Sequence, residues 1–357
     1  MKHITIVGDP ASAGRALGSA YKDTLERIIW GEALAGLAGT GSGAPSRRML
    51  RLIQADFPDE YAYIEALADG AILDVTRFFD MYSLELGWTF GPVPPVISFM
   101  TALPRADGDR TDTGTPALGV IIDAPPPLFP MASLITRRPQ RGYAWIELGF
   151  VPFSGAFLGI NERGLALALG LKPTEGDGEG VMPVSLSVRR ALSDCSNVRD
   201  AASLLTETPR GASGFVSMAD TLAALILEFT PDAAQLRTPQ EAAPIFTAQH
   251  FLAPGMMGRD IPHAETYPDD APEGLRYRRI YESSERRFDA AHTALSVTHP
   301  LTGRDLTDLL ADTGTGLTTD GPHYQTLAGA VLLPRRASIF LSTWEDAGAY
   351  TRYGLND

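Results

Sequence analysis

A proline-rich break at Gly91-Pro92-Val93-Pro94-Pro95 separates two kinds of apolar spacing, and that change of period limits the fold more than any other feature of the chain. Neither a helix interior nor a central strand accepts such a run, because proline lacks the amide donor and fixes its own backbone. Before the break, apolar residues recur at three- and four-residue spacing, as Leu17, Tyr21, Leu25, Ile28, Ile29 and Leu34 do. That spacing predicts a helix over Ala16–Leu37 and further helices over Met49–Phe57, Tyr61–Ala71 and Val75–Leu86. Only the opening, His3 to Pro10, alternates like a strand before a Gly-Asp-Pro turn. After the break the apolar runs are short and bounded by Gly and Pro. Val96–Pro104, Pro116–Asp123, Tyr143–Gly149, Ala156–Ile160, Leu165–Leu171, Gly214–Met218, Ala223–Phe229, Ala328–Leu333 and Ser338–Thr343 read as strands of packed sheets. Val184–Glu207 reads as two helices, the second capped by Ser196 or Asn197, and Leu275–Ala290 as one more. Strand runs alternating with helix runs give a layered α+β class rather than a parallel βαβ sheet. The expected organisation is a mostly helical segment over residues 1–95 packed on a core over residues 96–357.

A formal net charge of −13 argues against a phosphate-backbone binder, which needs a basic face to displace counterions, so nucleic acid is not an expected partner. The single cysteine, Cys195, excludes an internal disulfide and any multi-cysteine zinc site. No run approaches the roughly 20 apolar residues of a membrane span, and no secretory pattern opens the chain. The expectation is a cytoplasmic protein, with a homodimer as the default assembly.

Several residues resemble chemistry they do not carry. Gly8, Gly14 and Gly18 follow the first strand, but their spacing is too wide for a dinucleotide loop, which needs glycines close together at the pyrophosphate. The histidines include no H-E-x-x-H pair, so no metal is expected, and the G-x-S-x-G elbow is absent; Ser154 in Pro152-Phe153-Ser154-Gly155 reads as a turn. Cys195 closes an amphipathic helix and reads as a buried structural thiol.

One stretch carries more. Gly149–Leu171 contains Gly159, Asn161, Glu162, Gly164 and Leu165 in a Gly-x-Asn-Glu-x-Gly-Leu pattern, and Val181–Leu205 follows with Pro-Val-Ser-Leu and Arg-Arg-Ala-Leu elements. Together with Glu65–Leu86, Leu225–Asp232, Gln249–Met257 and Gln325–Ser342, these resemble the acyl-CoA:6-aminopenicillanic acid acyltransferase-like group of N-terminal nucleophile (Ntn) hydrolases. The resemblance implies a four-layer αββα sandwich. It also implies a precursor that cuts its own backbone before a Gly-Cys-Thr motif and attacks amide or thioester carbonyls from the new terminal cysteine. Nucleophile and base then arrive on one residue, already in register.

The equivalent stretch here reads Phe99-Met100-Thr101. Met100 has no proton to lose and is left as a substrate-binding residue, so Thr101 is the candidate nucleophile. A one-residue slip or a bulge is needed to bring Thr101 into that place, since successive strand residues face opposite sides. The resemblance assigns Asp123 to holding the nucleophile's amine and Asn161, with Gln249, to the oxyanion. His250 and His323 are assigned to the substrate, the latter where the family carries an arginine beside it and this chain has Pro322. Architectural roles fit as well: Asn161 holding a turn before Gly164, Asp123 ending a strand. Two functions follow. One is an amide hydrolase or acyltransferase on a small molecule or peptide, with acyl-CoA as a conceivable co-substrate and no resident cofactor. The other is an uncleaved relative that binds a small molecule or catalyses a non-acyl reaction.

Overall fold

The computed structural model describes residues 1–30, 44–75, 97–102, 115–124, 126–150, 155–172, 174, 182–239, 244–269, 273–295, 303–321, 324–346 and 348–355. Two sheets form its centre. The larger contains β1 (Lys2–Gly8), β4 (Ala132–Pro139), β5 (Trp145–Phe150), β6 (Leu158–Asn161), β7 (Ala166–Lys172), β8 (Ser213–Ala219), β9 (Ala224–Phe229) and β10 (Ala234–Arg237), in that spatial order. The smaller runs β11 (Ile245–Thr247), β2 (Ile97–Ala102), β3 (Ala117–Ala124), β12 (Gln325–Leu333), β13 (Ser338–Thr343) and β14 (Thr351–Gly354). All neighbours are antiparallel except β1 and β4, which are parallel. The opening strand thus belongs to the large sheet itself.

The sheets face each other, with β2 packed on β7 and β8 and β3 on β8. Helices cover both outer faces. Over the larger sheet lie α1 (Pro10–Trp30), α2 (Ala44–Asp56), α3 (Pro58–Ala71), α4 (Val184–Asp194) and α5 (Val198–Glu207); over the smaller lie α6 (Glu282–Leu295) and α7 (Gly303–Ala311). This is the αββα layering. Strand alternation builds both of its cores: Leu118, Val120 and Ile122 of β3 enter the apolar cluster between the sheets, while Ala117 and Ile121 enter the one beneath α6 and α7. Each Leu, Val or Ile side chain among them contributes about 1.5–3 kcal/mol by leaving water.

Asn197 caps α5, accepting from the amides of Arg199 and Asp200 at 3.0 Å each. The helix expected over Leu275–Ala290 begins only at Glu282. The residues ahead of it spend their backbone bonds elsewhere: Ile280 N–H donates to Glu265 O, Tyr267 N–H to Arg278 O and Tyr277 N–H to Tyr267 O, each at 3.0 Å. The helix expected over Val75–Leu86 lies outside the described residues beyond Val75, as does the Ser154 turn. Among the described residues no helix is long and apolar enough to cross a membrane.

Candidate functional site

Polar side chains gather at one end of the sandwich, where β7 stops. Gly159 of β6 faces Leu192 of α4, and Gly159 pairs with Leu167, so alternation along β7 turns Lys172 to the inner face. Lys172 is completely buried. A buried ammonium is tolerated only when paired and hydrogen-bonded. Here it forms an ion pair with Asp260, donates to the Tyr281 hydroxyl at 3.0 Å and lies 4.0 Å from the centroid of the Phe251 ring. Tyr281 donates in turn to Asp260, whose carboxylate also accepts from the amides of Phe251 at 2.7 Å and Ile261 at 2.9 Å. Burial, then the neighbouring Asp260 carboxylate, pushes the Tyr281 hydroxyl far above the usual phenol range and keeps it a donor.

Beside this group, Ser284 Oγ accepts from the Gln249 amide at 2.6 Å and meets His250 Nδ1 at 2.8 Å, while Gln249 Nε2 donates to Leu171 O at 3.2 Å. Burial holds His250 below the usual imidazole range, so its ring is neutral at pH 7. The loop that carries these residues is tied down by buried Glu228, which accepts from the amides of Leu252 and Ala253 at 2.9 Å each. One turn after Ser284 on α6, buried Arg287 forms an ion pair with buried Asp123, whose Oδ1 accepts from Thr326 at 2.7 Å. Chemically, the end of the sandwich offers a buried cation, a protonated phenol and a neutral imidazole.

Thr101 is elsewhere. Along β2, Thr101 pairs with Leu118 and Ile97 with Ile122, so Asp123 lies beyond the Ile97 end. Five residues separate Leu118 from Asp123, about 17 Å of extended chain. The other neighbour agrees: Ile245 pairs with Thr101 and Thr247 with Phe99, which carries Gln249 toward Ile97 as well. Asp123 and Gln249 therefore approach Ile97 from both sides, and this register sets Thr101 apart from them along β2. The slip considered for Met100–Thr101 is absent; β2 and β3 pair without a bulge. Nor does Asp123 face the interior. It shares the parity of Ala117 and Ile121, toward α6, where Arg287 and Thr326 occupy it.

Asn161 sits at the opposite end of the larger sheet. It closes β6 just before the turn into β7, and Ala166 to Lys172 spans six residues, about 20 Å. Its Nδ2 donates to Leu192 O at 2.9 Å and Cys195 O at 2.8 Å; its Oδ1 accepts from the amides of Arg163 and Leu165 at 3.0 Å each. The side chain is a turn lock beneath α4, not an oxyanion donor beside Gln249. Cys195 is buried, and desolvation followed by the nearby Asp194 and Asp200 charges pushes its thiol up to about 11. His323 lies outside the described residues. Lys172, Asp260, Tyr281 and Arg287 are not among the residues expected from sequence, since nothing in their spacing joins them; only the fold brings the first three within reach of His250 and Arg287 onto Asp123.

A sequence model of the acyl-coenzyme A:6-aminopenicillanic acid acyl-transferase family matches residues 113–323. The chain belongs to this family. The matched span holds Asp123, Asn161, Lys172, Gln249 and His250 but begins after β2. Among solved structures, this acyl-transferase family member is similar to a Caenorhabditis elegans ortholog of N-acylethanolamine-hydrolyzing acid amidase, with 11% identity over 72% of this chain and 99% of that one and a TM-score of 0.47. A variant of the conjugated bile acid hydrolase from Clostridium perfringens gives 13% identity over 72% and 92%, with a TM-score of 0.48. Penicillin V acylase from Agrobacterium tumefaciens gives 10% identity over 73% and 86%, with a TM-score of 0.44. No curated protein matches the sequence.

Proposed function

We propose that this chain is an uncleaved member of the acyl-transferase family that holds a small acyl or amide compound at the Ile97–Lys172–His250 end of the sandwich and forms no acyl-enzyme. The β2 register carries this reading. Covalent acyl chemistry needs a nucleophile at the place where the supporting residues converge. The register brings Gln249 toward Ile97, where the sequence from Phe90 through Ile97 holds no Ser, Thr or Cys; the next residue, Ser98, pairs with Ile121, whose side chain enters the cluster beneath α6 and α7. Thr101 stands four residues away, about 13 Å along the strand. With no covalent step, the work falls to the positive charge of Lys172, which attracts a carbonyl or carboxylate, and to neutral His250 as a proton acceptor, the Tyr281 proton being held by Asp260.

The test is the intact mass of the purified protein, before and after incubation with p-nitrophenyl acetate, with N-terminal sequencing of any fragment. The expected result is one unmodified 38.3 kDa species in both samples. Two fragments, the larger beginning at Thr101, or an acetyl group mapped to β2, would replace this reading with Ntn catalysis at Thr101.

A further inference from the structure

At the far end of the larger sheet from Lys172, the N-terminal helices and the core enclose a cleft of about 500 Å³, a volume typical of small-molecule sites. Its walls carry mostly opposite charge, the core-side Arg190 and Asp194 pairing with each other at 3.4 Å. On the N-terminal side stand Asp56, the last residue of α2, and Asp59, in the first turn of α3; on the core side stand Arg138, near the end of β4, and Arg141 just beyond it. Phe57 and Trp145 line the space between.

The deeper cations are already committed. Arg137 and Arg189 both bind the fully buried Glu147 at 2.8 Å, Arg189 also reaches Glu60 at 3.2 Å, and Arg137 donates to the Tyr63 hydroxyl at 3.0 Å. That network fixes the floor. The rim differs: among the described residues Asp56, Asp59 and Arg141 make no hydrogen bond or ion pair, and Arg138 gives a single N–H to Leu355 O at 2.8 Å. A ligand of one sign would satisfy one wall and meet repulsion from the other. A ligand carrying both signs satisfies the two at once, a guanidinium fork taking a carboxylate and the two carboxylates an ammonium.

We propose that this cleft binds a zwitterionic small molecule, an amino acid or short peptide with both ends free, its ammonium on the Asp56–Asp59 wall and its carboxylate on the Arg138–Arg141 wall. The aromatic lining favours an aromatic side chain. The site is separate from the Ile97–Lys172–His250 end, and its test is independent of the chemistry there.

Calorimetric titration of the full chain with phenylalanine, N-acetylphenylalanine and phenylalaninamide tests it. Phenylalanine is expected to bind saturably, and loss of either charge to weaken binding at least about tenfold. All four wall residues are exposed, so their substitution leaves the fold intact. Arg138→Gln with Arg141→Gln removes the preference over the amide alone; Asp56→Asn with Asp59→Asn removes the preference over the N-acetyl compound alone. No saturable heat with phenylalanine up to about 10 mM, or equal binding of all three, overturns the proposal.

Discussion

Asn161 uses its whole hydrogen-bonding capacity on backbone, and that decides what its loss would do. Two carbonyls at the end of α4 and two amides of the β6–β7 turn depend on it, and all of these bonds but the one from Arg163 are buried. Each buried group left unsatisfied costs about 1–3 kcal/mol, partly relieved by local relaxation. Asn161→Ala should therefore destabilise the protein by about 3–5 kcal/mol in urea unfolding. Asn161→Asp should cost at least as much, because it sets a charge against the Leu192 and Cys195 carbonyls. A family-type oxyanion asparagine would behave differently, sparing stability and changing only turnover. An unfolding midpoint unchanged by Asn161→Ala would return Asn161 to the candidate site.

Among the elements, the α1–α3 pair shows how a local signal and a non-local one divide. Gly14 and Gly18 read in sequence only as glycines too widely spaced for a phosphate loop. Their use is a helix crossing: a Cβ at Gly14 would strike the carbonyl oxygen of Tyr63, one at Gly18 that of Leu67, and one at Gly70 that of Arg15. Gly18→Ala gains up to about 1 kcal/mol of intrinsic helix propensity. It must also push two backbones apart, and overpacking costs about 1–3 kcal/mol. Net destabilisation is expected, larger for Gly18→Val, and a denaturant melt with both variants at or above wild-type stability would contradict the crossing. Strand alternation in β3 and the Asn197 cap were legible because both are local. β4 escaped because Arg137 and Arg138 break its apolar run, although Arg137 is buried on Glu147. The placement of Thr101 escaped for a deeper reason: pairing register is set between strands distant in sequence, and a slip of a few residues moves every side chain to new neighbours. The resemblance supplied the layers correctly, since layers depend on pattern, whereas the neighbours of Thr101 depend on register.

For the molecule as a whole, the polar end of the sandwich ties stability to pH. His250 is flanked by Asp260, His263, Lys172 and Glu285, yet burial dominates and sets its folded value below the usual 6.5. The sign follows from linkage: below pH 6.5 the unfolded chain takes up a proton that the folded chain refuses, so stability falls as pH falls, until the folded value is reached. Its contribution is complete above 6.5. Half-buried Glu60 and buried Glu228 act oppositely. Desolvation raises both above the usual carboxyl value, so they favour the fold as pH drops toward 4.5 from above. The wild-type curve is the sum, and a substitution separates the terms. His250→Asn removes the imidazole titration, and its side-chain amide can still meet Ser284. Between pH 6.5 and 5.5 the variant should lose less stability than wild type, by up to about 1 kcal/mol, less than the 1.36 kcal/mol that one proton confers per pH unit. Urea unfolding of both proteins at the two pH values measures that difference. Parallel losses would mean that His250 titrates in the fold as it does in the open chain, and that the end of the sandwich it shares with Lys172 and Tyr281 admits water freely.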